Sequence, residues 1–390
     1  MGKLTVINFT GLTTKLRDFY REQYKAIHYC FPAAILLFMM GLLITFKAFS
    51  YLPMVMVTLG VLLYPLFDLT IYEYEHGYRL KIGILSSLVF IVSFIIGSTI
   101  TPFGLPIICI SMLLPVSAIL LTADMPDKEL NVVGVFITFF FVVGIACPAR
   151  FTSAVINGLW ILIGMLAVAI IYYFYYKYLA SKIERKTVRL QQSDCRIKIH
   201  VSPRLWRFGF ALYISVVLAC CITYFLSNHF PSMISYHRNY WAPFFVFILL
   251  RYNQSTNNSY RRIFYRFIGT LFGLLLAIPI FIYIHNALAL NILLLLFSIS
   301  SLFAFATFRS YWLCTTFVTL NVMVFYGGLE SSGMNIEIYR LVETIVAVLV
   351  AITAITIFQP ILKAVHAKVV PPKKYISIKQ RTKNMRIIEK

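Results

Sequence analysis

The sequence predicts an all-α membrane protein with about twelve transmembrane helices, arranged as two repeats of six with both termini in the cytoplasm. Hydrophobic residues make up 60% of the 390 residues and charged residues only 13%, whereas soluble domains are about half apolar and a quarter charged. The apolar residues fall into long runs, and the basic residues are concentrated in alternate connections between those runs. Composition therefore predicts insertion in a membrane, while the runs and the basic connections predict the number and direction of the spans.

The number of spans follows from comparing each apolar run with the roughly 20 residues that a helix needs to cross a bilayer. The runs, counted with the short ones, begin near Tyr29, Leu52, Ile82, Phe103, Val132, Phe151, Leu205, Tyr240, Phe264, Leu288, Ser310 and Ile338. An even number of spans places both ends of the chain on the same side of the membrane.

The distribution of basic residues predicts which side that is. Lysines and arginines precede the first run, fill the connection between residues 177 and 207 and recur after residue 360, whereas the connections at 50–53, 98–102 and 326–333 carry only Glu330. Because cytoplasmic loops are enriched in lysine and arginine, both termini are predicted to be cytoplasmic. The formal net charge of +21 is interpreted as contact with anionic lipids of the cytoplasmic leaflet rather than with nucleic acid.

The long basic connection divides the chain into two halves of about six spans each. Short motifs recur in both: YRLKIG at 78–83 resembles YRFIG at 265–269, and each half interrupts its second span early. Repeated halves are typical of secondary transporters. The predicted organisation is an amphipathic N-terminal segment, a first membrane repeat, a basic cytoplasmic connector, a second membrane repeat and a basic tail, at residues 1–28, 29–180, 181–204, 205–360 and 361–390.

The eighth apolar run, YWAPFFVFILL, is too short to cross the membrane. With Tyr240 and Trp241 at the outer interface, Arg251 lies about 16 Å further in at 1.5 Å per residue, near the middle of a hydrocarbon core about 30 Å thick. Polar residues at that depth must pack inside protein or line a wet cavity. The alternative is a tilted or shallow helix whose arginine snorkels to the inner interface.

The second span is interrupted at the corresponding place in the first half. Its apolar run ends at Asp68, and Glu73, Glu75 and Arg79 follow. Paired interruptions at matching positions of two halves point to the binding site of a transporter. A site between the second and eighth spans is therefore predicted, and Asp68 is equally well explained as the cap of a helix end.

The stretch from Tyr240 to Ala277 resembles the fusaric acid resistance-like (FUSC), or aromatic acid exporter, family. The resemblance rests on the aromatic–Trp–Ala opening, the short apolar run, the polar turn and the RFIGTLFG helix at 266–273, together with Arg340 and Glu343 in the last span. It extends over residues 205–360 and is faint over 29–180. It implies a dimeric exporter of aromatic or other organic carboxylates in the bacterial inner membrane, driven by the proton gradient.

The sequence departs from the family pattern in two ways. Many members carry a large cytoplasmic domain between or after the halves, whereas the connector here is short and basic. The first half also has Glu73 and Glu75 where the second half has arginines. The substrate and the coupling ion therefore do not follow from the resemblance alone.

Candidate substrate-binding residues lie at the start of the resembling stretch. Arginine binds a carboxylate through two parallel hydrogen bonds, and aromatic rings stack on aromatic substrates. The predicted substrate-binding residues are Tyr240, Trp241, Arg251, Asn253, Gln254, Arg262 and Arg266. The alternatives are membrane anchoring for the arginines and aromatic residues, and a simple polar turn for the two amides.

Carboxylates at membrane depth are candidates for proton exchange. Asp68 in the first half, and Glu343 with Arg340 in the last span, are the predicted proton-coupling residues. Arg340 and Glu343 are three residues apart and share a helix face, which also predicts an internal ion pair between them.

Enzyme motifs are missing from the sequence, which has no GxxxxGK, HExxH or GxSxG pattern and no paired Cys/His ligand set. No catalytic residue, cofactor or metal is predicted, and the seven cysteines are interpreted as small buried hydrophobes. The leading hypothesis is a proton-coupled exporter of small organic anions. The alternatives are a passive anion channel and a membrane scaffold without transport.

Overall fold

The structure is a computed structural model in which all regular structure is helical over the residues it describes. These are residues 51–68, 71, 76–123, 131–179, 203–231, 241–250, 256–284, 286–304, 311–329 and 333–369, together with 32, 35 and 36. Most of the predicted first span, the basic connector and the tail after residue 369 lie outside the described residues.

Twelve α-helices are formed by the described residues. They are α1 Tyr51–Asp68, α2 His76–Ile100, α3 Leu105–Ser111, α4 Leu113–Ala123, α5 Asn131–Ala146, α6 Phe151–Phe174, α7 Pro203–His229, α8 Trp241–Leu249, α9 Thr256–Tyr283, α10 Ala287–Phe303, α11 Tyr311–Leu329 and α12 Gly333–Val369. A 3₁₀ turn, Thr101–Phe103, precedes α3, and a π-helical turn, Tyr175–Leu179, extends α6.

Six helical segments are long and apolar enough, by length and composition, to cross a membrane. They are Gly77–Phe103, Leu105–Ala123, Phe151–Tyr178, Leu205–His229, Asn257–Tyr283 and Ile338–Phe358, and shorter apolar helices cover Met56–Asp68, Val132–Ala146, Ile292–Ser301 and Tyr311–Val324. Helices suit this setting because each satisfies its own backbone hydrogen bonds where no water is present. The predicted all-helical, multi-pass membrane architecture is confirmed, and the count of twelve spans in two repeats stays a prediction.

Helices of the first half pack closely where glycine faces a neighbouring backbone. In α1 and α6, a Cβ added at Gly60 would overlap the carbonyl oxygen of Ile161, and one added at Gly164 would overlap that of Val57. Small residues of this kind let membrane helices approach each other closely. The second half uses Gly269 and Gly273 of α9, where added Cβ atoms would lie 2.8 Å and 2.7 Å from the Cβ atoms of Thr315 and Thr319 in α11.

The two halves meet along α5 and α8, and α4 also packs against α7. The ring of Phe139 in α5 lies edge-on to those of Trp241 and Phe244 in α8, with centroids 5.9 Å and 5.0 Å apart. Large apolar side chains such as Val92, Ile163 and Leu349 are exposed on the outside. Such a surface is suited to contact with lipid tails.

Candidate functional site

A cavity of about 640 Å³ lies between the halves, enclosed by α1 and α5 on one side and by α8 to α12 on the other. Leu62 and Leu66 of α1 and Phe136 of α5 form part of its apolar wall. Its size falls within the range of small-molecule sites, which combine apolar walls with a few convergent polar groups.

Four arginines give the cavity wall a positive charge. Arg261, Arg262 and Arg266 come from α9, and Arg340 comes from α12. Arg266 and Arg340 are only 9% and 7% exposed. The lining residues that the structure describes include no carboxylate, so the wall favours an anion.

Aromatic rings hold the two most buried arginines near each other. The guanidinium carbon of Arg340 lies 4.3 Å from the ring centroid of Trp241 and 6.0 Å from that of Phe245, and the guanidinium carbon of Arg266 lies 4.0 Å from the Phe245 centroid. Because both distances end at one centroid, the two guanidinium carbons are no more than about 10 Å apart. Such cation–π contacts position the guanidinium groups without using their hydrogen-bond donors.

The other two arginines lie beside tyrosines. The guanidinium carbon of Arg262 is 4.8 Å from the ring centroid of Tyr311 in α11. Arg261 is exposed, and its Nε donates a hydrogen bond of 2.8 Å to the hydroxyl of Tyr265. Arg262 therefore shares the buried wall with Arg266, whereas Arg261 lies at its exposed margin.

Several buried polar atoms in this wall make no hydrogen bond within the described part of the chain. They are Nε of Arg262, Nε of Arg266, Oγ1 of Thr270 and the hydroxyl of Tyr311, and their residues all line the cavity. A buried polar group without a partner is costly. Guanidinium and hydroxyl groups donate to carboxylate oxygens, so a bound carboxylate would satisfy these atoms.

Neutral hydrogen-bonding groups form another part of the wall. Ser298 of α10 donates to Oδ1 of Asn321 in α11 at 3.1 Å, and both residues are buried and line the cavity with Ser301. These groups offer contacts to uncharged polar parts of a ligand.

Glu343 lies beside the positive wall but is not among the lining residues. Its Oε2 is 3.9 Å from an η nitrogen of Arg340, which lies one turn earlier in α12, and Glu343 is 1% exposed. The ion pair predicted from the spacing of these residues is therefore present.

Asp68 lies in a separate site with its own arginine. Nε of Arg79 donates to Oδ1 of Asp68 at 2.7 Å, and an η nitrogen of Arg79 donates to Oδ2. Both residues are buried, and the guanidinium carbon of Arg79 is 4.7 Å from the ring centroid of Tyr176. Neither residue lines the 640 Å³ cavity.

The structure thus brings together Trp241, Arg262, Arg266 and Arg340 of the predicted site residues, and it places Asp68 elsewhere. Tyr240, Arg251, Asn253 and Gln254 lie outside the described residues. The sequence interpretation missed Phe245, Thr270, Tyr311 and the pair of Ser298 and Asn321. Thr270 follows Arg266 by one helical turn, so the spacing could have placed both on one helix face. Nothing in the sequence links Tyr311 to Arg262.

The fold and the site define a multi-pass helical membrane protein with a cationic cavity between its spans. Residues 218–354 match the family described as fusaric acid resistance protein-like, so this part of the chain is similar to that family. The matched stretch holds all four arginines of the cavity. Neither curated proteins nor solved structures gave a match to the chain.

Proposed function

We propose that the protein exports small organic carboxylates, chiefly aromatic ones, from the cytoplasm across a bacterial inner membrane. The observation that carries the proposal is a cavity of about 640 Å³ between membrane helices whose charged lining groups, among the described residues, are four arginines. An anion in the membrane interior needs such partners because hydrocarbon offers none.

The carboxylate binds where the unsatisfied donors lie. Arg266 supplies the buried cation, Arg262 a second one, and the hydroxyls of Tyr311 and Thr270 complete the set. The ring of an aromatic substrate lies against Phe245 and the apolar wall contributed by α1 and α5. Charge-assisted hydrogen bonds then give recognition of the anion, and ring contacts give affinity for an aromatic body.

Alternating access is supported by the same pattern of helix pairing in both halves. In the first half, α2 packs against α5 and α6, α4 against α5, and α1 against α6. In the second half, α9 packs against α11 and α12, α10 against α11, and α8 against α12. This correspondence is what two six-span repeats around a central site would give.

The remaining features of the proposal follow from that architecture. Twelve spans place both termini in the cytoplasm, where the basic connector and tail lie beside anionic lipids. The working assembly is a homodimer, as the family resemblance implies. No nucleic acid is involved.

Proton coupling is assigned to Glu343 rather than to Asp68. Glu343 pairs with Arg340 at 3.9 Å beside the cavity, whereas Asp68 is held by Arg79 at a distance from it. Export driven by an inward proton gradient requires the proton and the substrate to move in opposite directions. Glu343 therefore takes up a proton from the outer side after the substrate has left, and it gives up that proton on the cytoplasmic side before the next carboxylate binds.

The test is flux in proteoliposomes that contain the full-length protein. Benzoate efflux should be stimulated by an inward proton gradient and greatly reduced by Arg266→Gln, whereas Arg207→Gln, at an exposed arginine of α7, should leave it unchanged. Benzamide, the neutral analogue of benzoate, should not be transported. Equal flux in Arg266→Gln and the unmodified protein would contradict the site.

Electrical recording separates this mechanism from a passive channel. A channel would give benzoate currents without a proton gradient and far above the turnover of a carrier. Folded protein that moves no carboxylate by either route would contradict the proposed function and favour a scaffold.

A further inference from the structure

Three cysteines lie together where the first half of the chain meets the second. Cys109 belongs to α3, and Cys220 and Cys221 belong to α7. Cys109 packs against the core cluster to which Cys220 belongs, and its thiol lies within hydrogen-bonding reach of the thiols of Cys220 and Cys221. The thiols therefore face each other across a helix–helix contact between the halves.

The surrounding packing fixes this arrangement. The hydroxyl of Tyr213, two helical turns before Cys220 and Cys221, donates a hydrogen bond of 3.2 Å to the backbone carbonyl of Cys109. Cys220 is 1% exposed, within a core cluster that contains Met112 of the first half and Leu212 of the second. Cys109 is partly exposed and Cys221 is exposed. A small oxidant can therefore reach the cluster from its margin.

Metal binding is not the chemistry that this cluster suggests. Among the described residues, no group of three or more histidine, cysteine or carboxylate side chains is placed to hold a metal ion. Two neighbouring thiols on different helices are instead suited to oxidation to a disulfide, which requires the two backbones to lie close together.

We propose that Cys109 and Cys220 form a disulfide under oxidation by a peroxide, which joins the first half of the chain covalently to the second. One thiol loses its proton, its thiolate attacks a peroxide oxygen, the O–O bond breaks, and a sulfenic acid and hydroxide are formed; the released proton converts the hydroxide to water. The second thiol loses its proton in the same way, its thiolate attacks the sulfenic sulfur, the S–S bond forms, and the displaced hydroxide takes up that proton and leaves as a second water. The two cysteines lose two electrons, which the peroxide gains.

The location of the thiols supports this chemistry. In the proposed orientation, α3 begins and α7 ends on the side away from the cytoplasm. Cys109 is five residues after Gly104, which precedes α3, and Cys220 is nine residues before His229, where α7 ends. Both thiols therefore lie in the outer half of the membrane, on the side where disulfides persist.

The first experiment detects the bond itself. Cys30, Cys147, Cys195 and Cys314 are replaced by Ser, and a cleavage site for a specific protease is inserted between residues 190 and 191 of the connector. Membrane vesicles are treated with hydrogen peroxide, digested and separated on a denaturing gel without reductant. The two halves should migrate together and should separate when reductant is added.

Single replacements identify the partners. Cys109→Ser and Cys220→Ser should each release the halves after oxidation and digestion, whereas Cys221→Ser, the neighbouring thiol, should leave them joined. Halves that separate in the three-cysteine parent would overturn the proposal. So would a cross-link that survives Cys220→Ser and is lost in Cys221→Ser.

A second measurement asks what the bond does, and this step rests on the proposed function. Because alternating access moves the halves relative to each other, peroxide should lower benzoate flux at least tenfold, and reductant should restore it. Cys109→Ser should transport normally and resist peroxide. Cross-linking without any flux in the untreated protein would contradict the transport function alone, because the gel result does not depend on transport.

Discussion

Arg79 in the first half and Arg266 in the second are both buried arginines that follow an interrupted span, yet their surroundings are opposite. Arg79 donates to both carboxylate oxygens of Asp68, which ends α1. Arg266 has no carboxylate beside it among the described residues, and it lies over Phe245 at the wall of the large cavity. The first arginine is neutralised by the chain itself, and the second is available to an external anion.

This difference separates a structural role from a binding role for the same residue type. A buried ion pair that is complete stabilises the packing around it only as long as both partners remain, because a lone buried charge is costly. A buried arginine with an unsatisfied Nε lowers the stability of the empty protein and favours a ligand. Three substitutions test the contrast, in decreasing order of expected effect.

The largest effect is expected from Asp68→Asn. The substitution removes the buried carboxylate that Asp68 offers to Arg79, and we expect the free energy of unfolding in detergent to fall by about 3–5 kcal/mol. Benzoate flux per folded molecule should change little, because Asp68 does not line the cavity. The double replacement Asp68→Asn with Arg79→Gln should recover part of the stability. A loss below about 1 kcal/mol would show that the pair is not structural.

Arg266→Gln should have the converse phenotype. Removing a buried charge that pairs with a ligand costs about 2 kcal/mol or more, so benzoate affinity, measured by isothermal titration, should fall at least about 30-fold. The unfolding free energy should not fall, since no described carboxylate loses a partner. Arg79→Gln is the matched control, and it should lower stability while leaving the affinity of the folded protein intact. Equal effects of the two replacements on benzoate affinity would contradict the assignment of a binding role to Arg266 and a structural role to Arg79.

Thr270→Glu should give Arg266 a carboxylate partner within the chain, in place of an external anion. Thr270 is one helical turn after Arg266 and has a buried, unsatisfied hydroxyl, so a carboxylate there would pair with Arg266 as Asp68 pairs with Arg79. We expect benzoate affinity to fall about tenfold, the effect of about 1.4 kcal/mol of competition. Thr270→Gln, of the same size but without charge, should have a smaller effect, and no difference between the two would argue against a free Arg266.

The cationic nature of this site could be predicted from the sequence, because charged residues that follow a short apolar run are easily recognised. The apolar run from Tyr240 to Leu250 is too short to cross the membrane, and α8 within it has nine residues, about 14 Å at 1.5 Å per residue. The arginines after it were therefore expected to face protein or a cavity, and Arg262 and Arg266 both line one. Helix spacing likewise gave the pair of Arg340 and Glu343.

The partners of these arginines were not predictable in the same way. Phe245 is one of several phenylalanines in an apolar run, and only the packing of α8 against α12 and α9 selects it. Tyr311 approaches Arg262 because α9 and α11 pack together, although almost fifty residues separate them. Asp68 and Arg79 are eleven residues apart across a break, so no helical period links them.

The ring of Phe245 has one further consequence, because it holds two like charges near each other. Two guanidinium groups no more than about 10 Å apart repel each other by at least roughly 1.7 kcal/mol at an effective dielectric constant of 20, and Glu343 offsets part of this repulsion through Arg340. An anion between Arg266 and Arg340 turns that repulsion into attraction to a shared partner. Repulsion between the two arginines therefore lowers the stability of the empty protein. Small inorganic anions such as sulfate should raise its melting temperature at constant ionic strength.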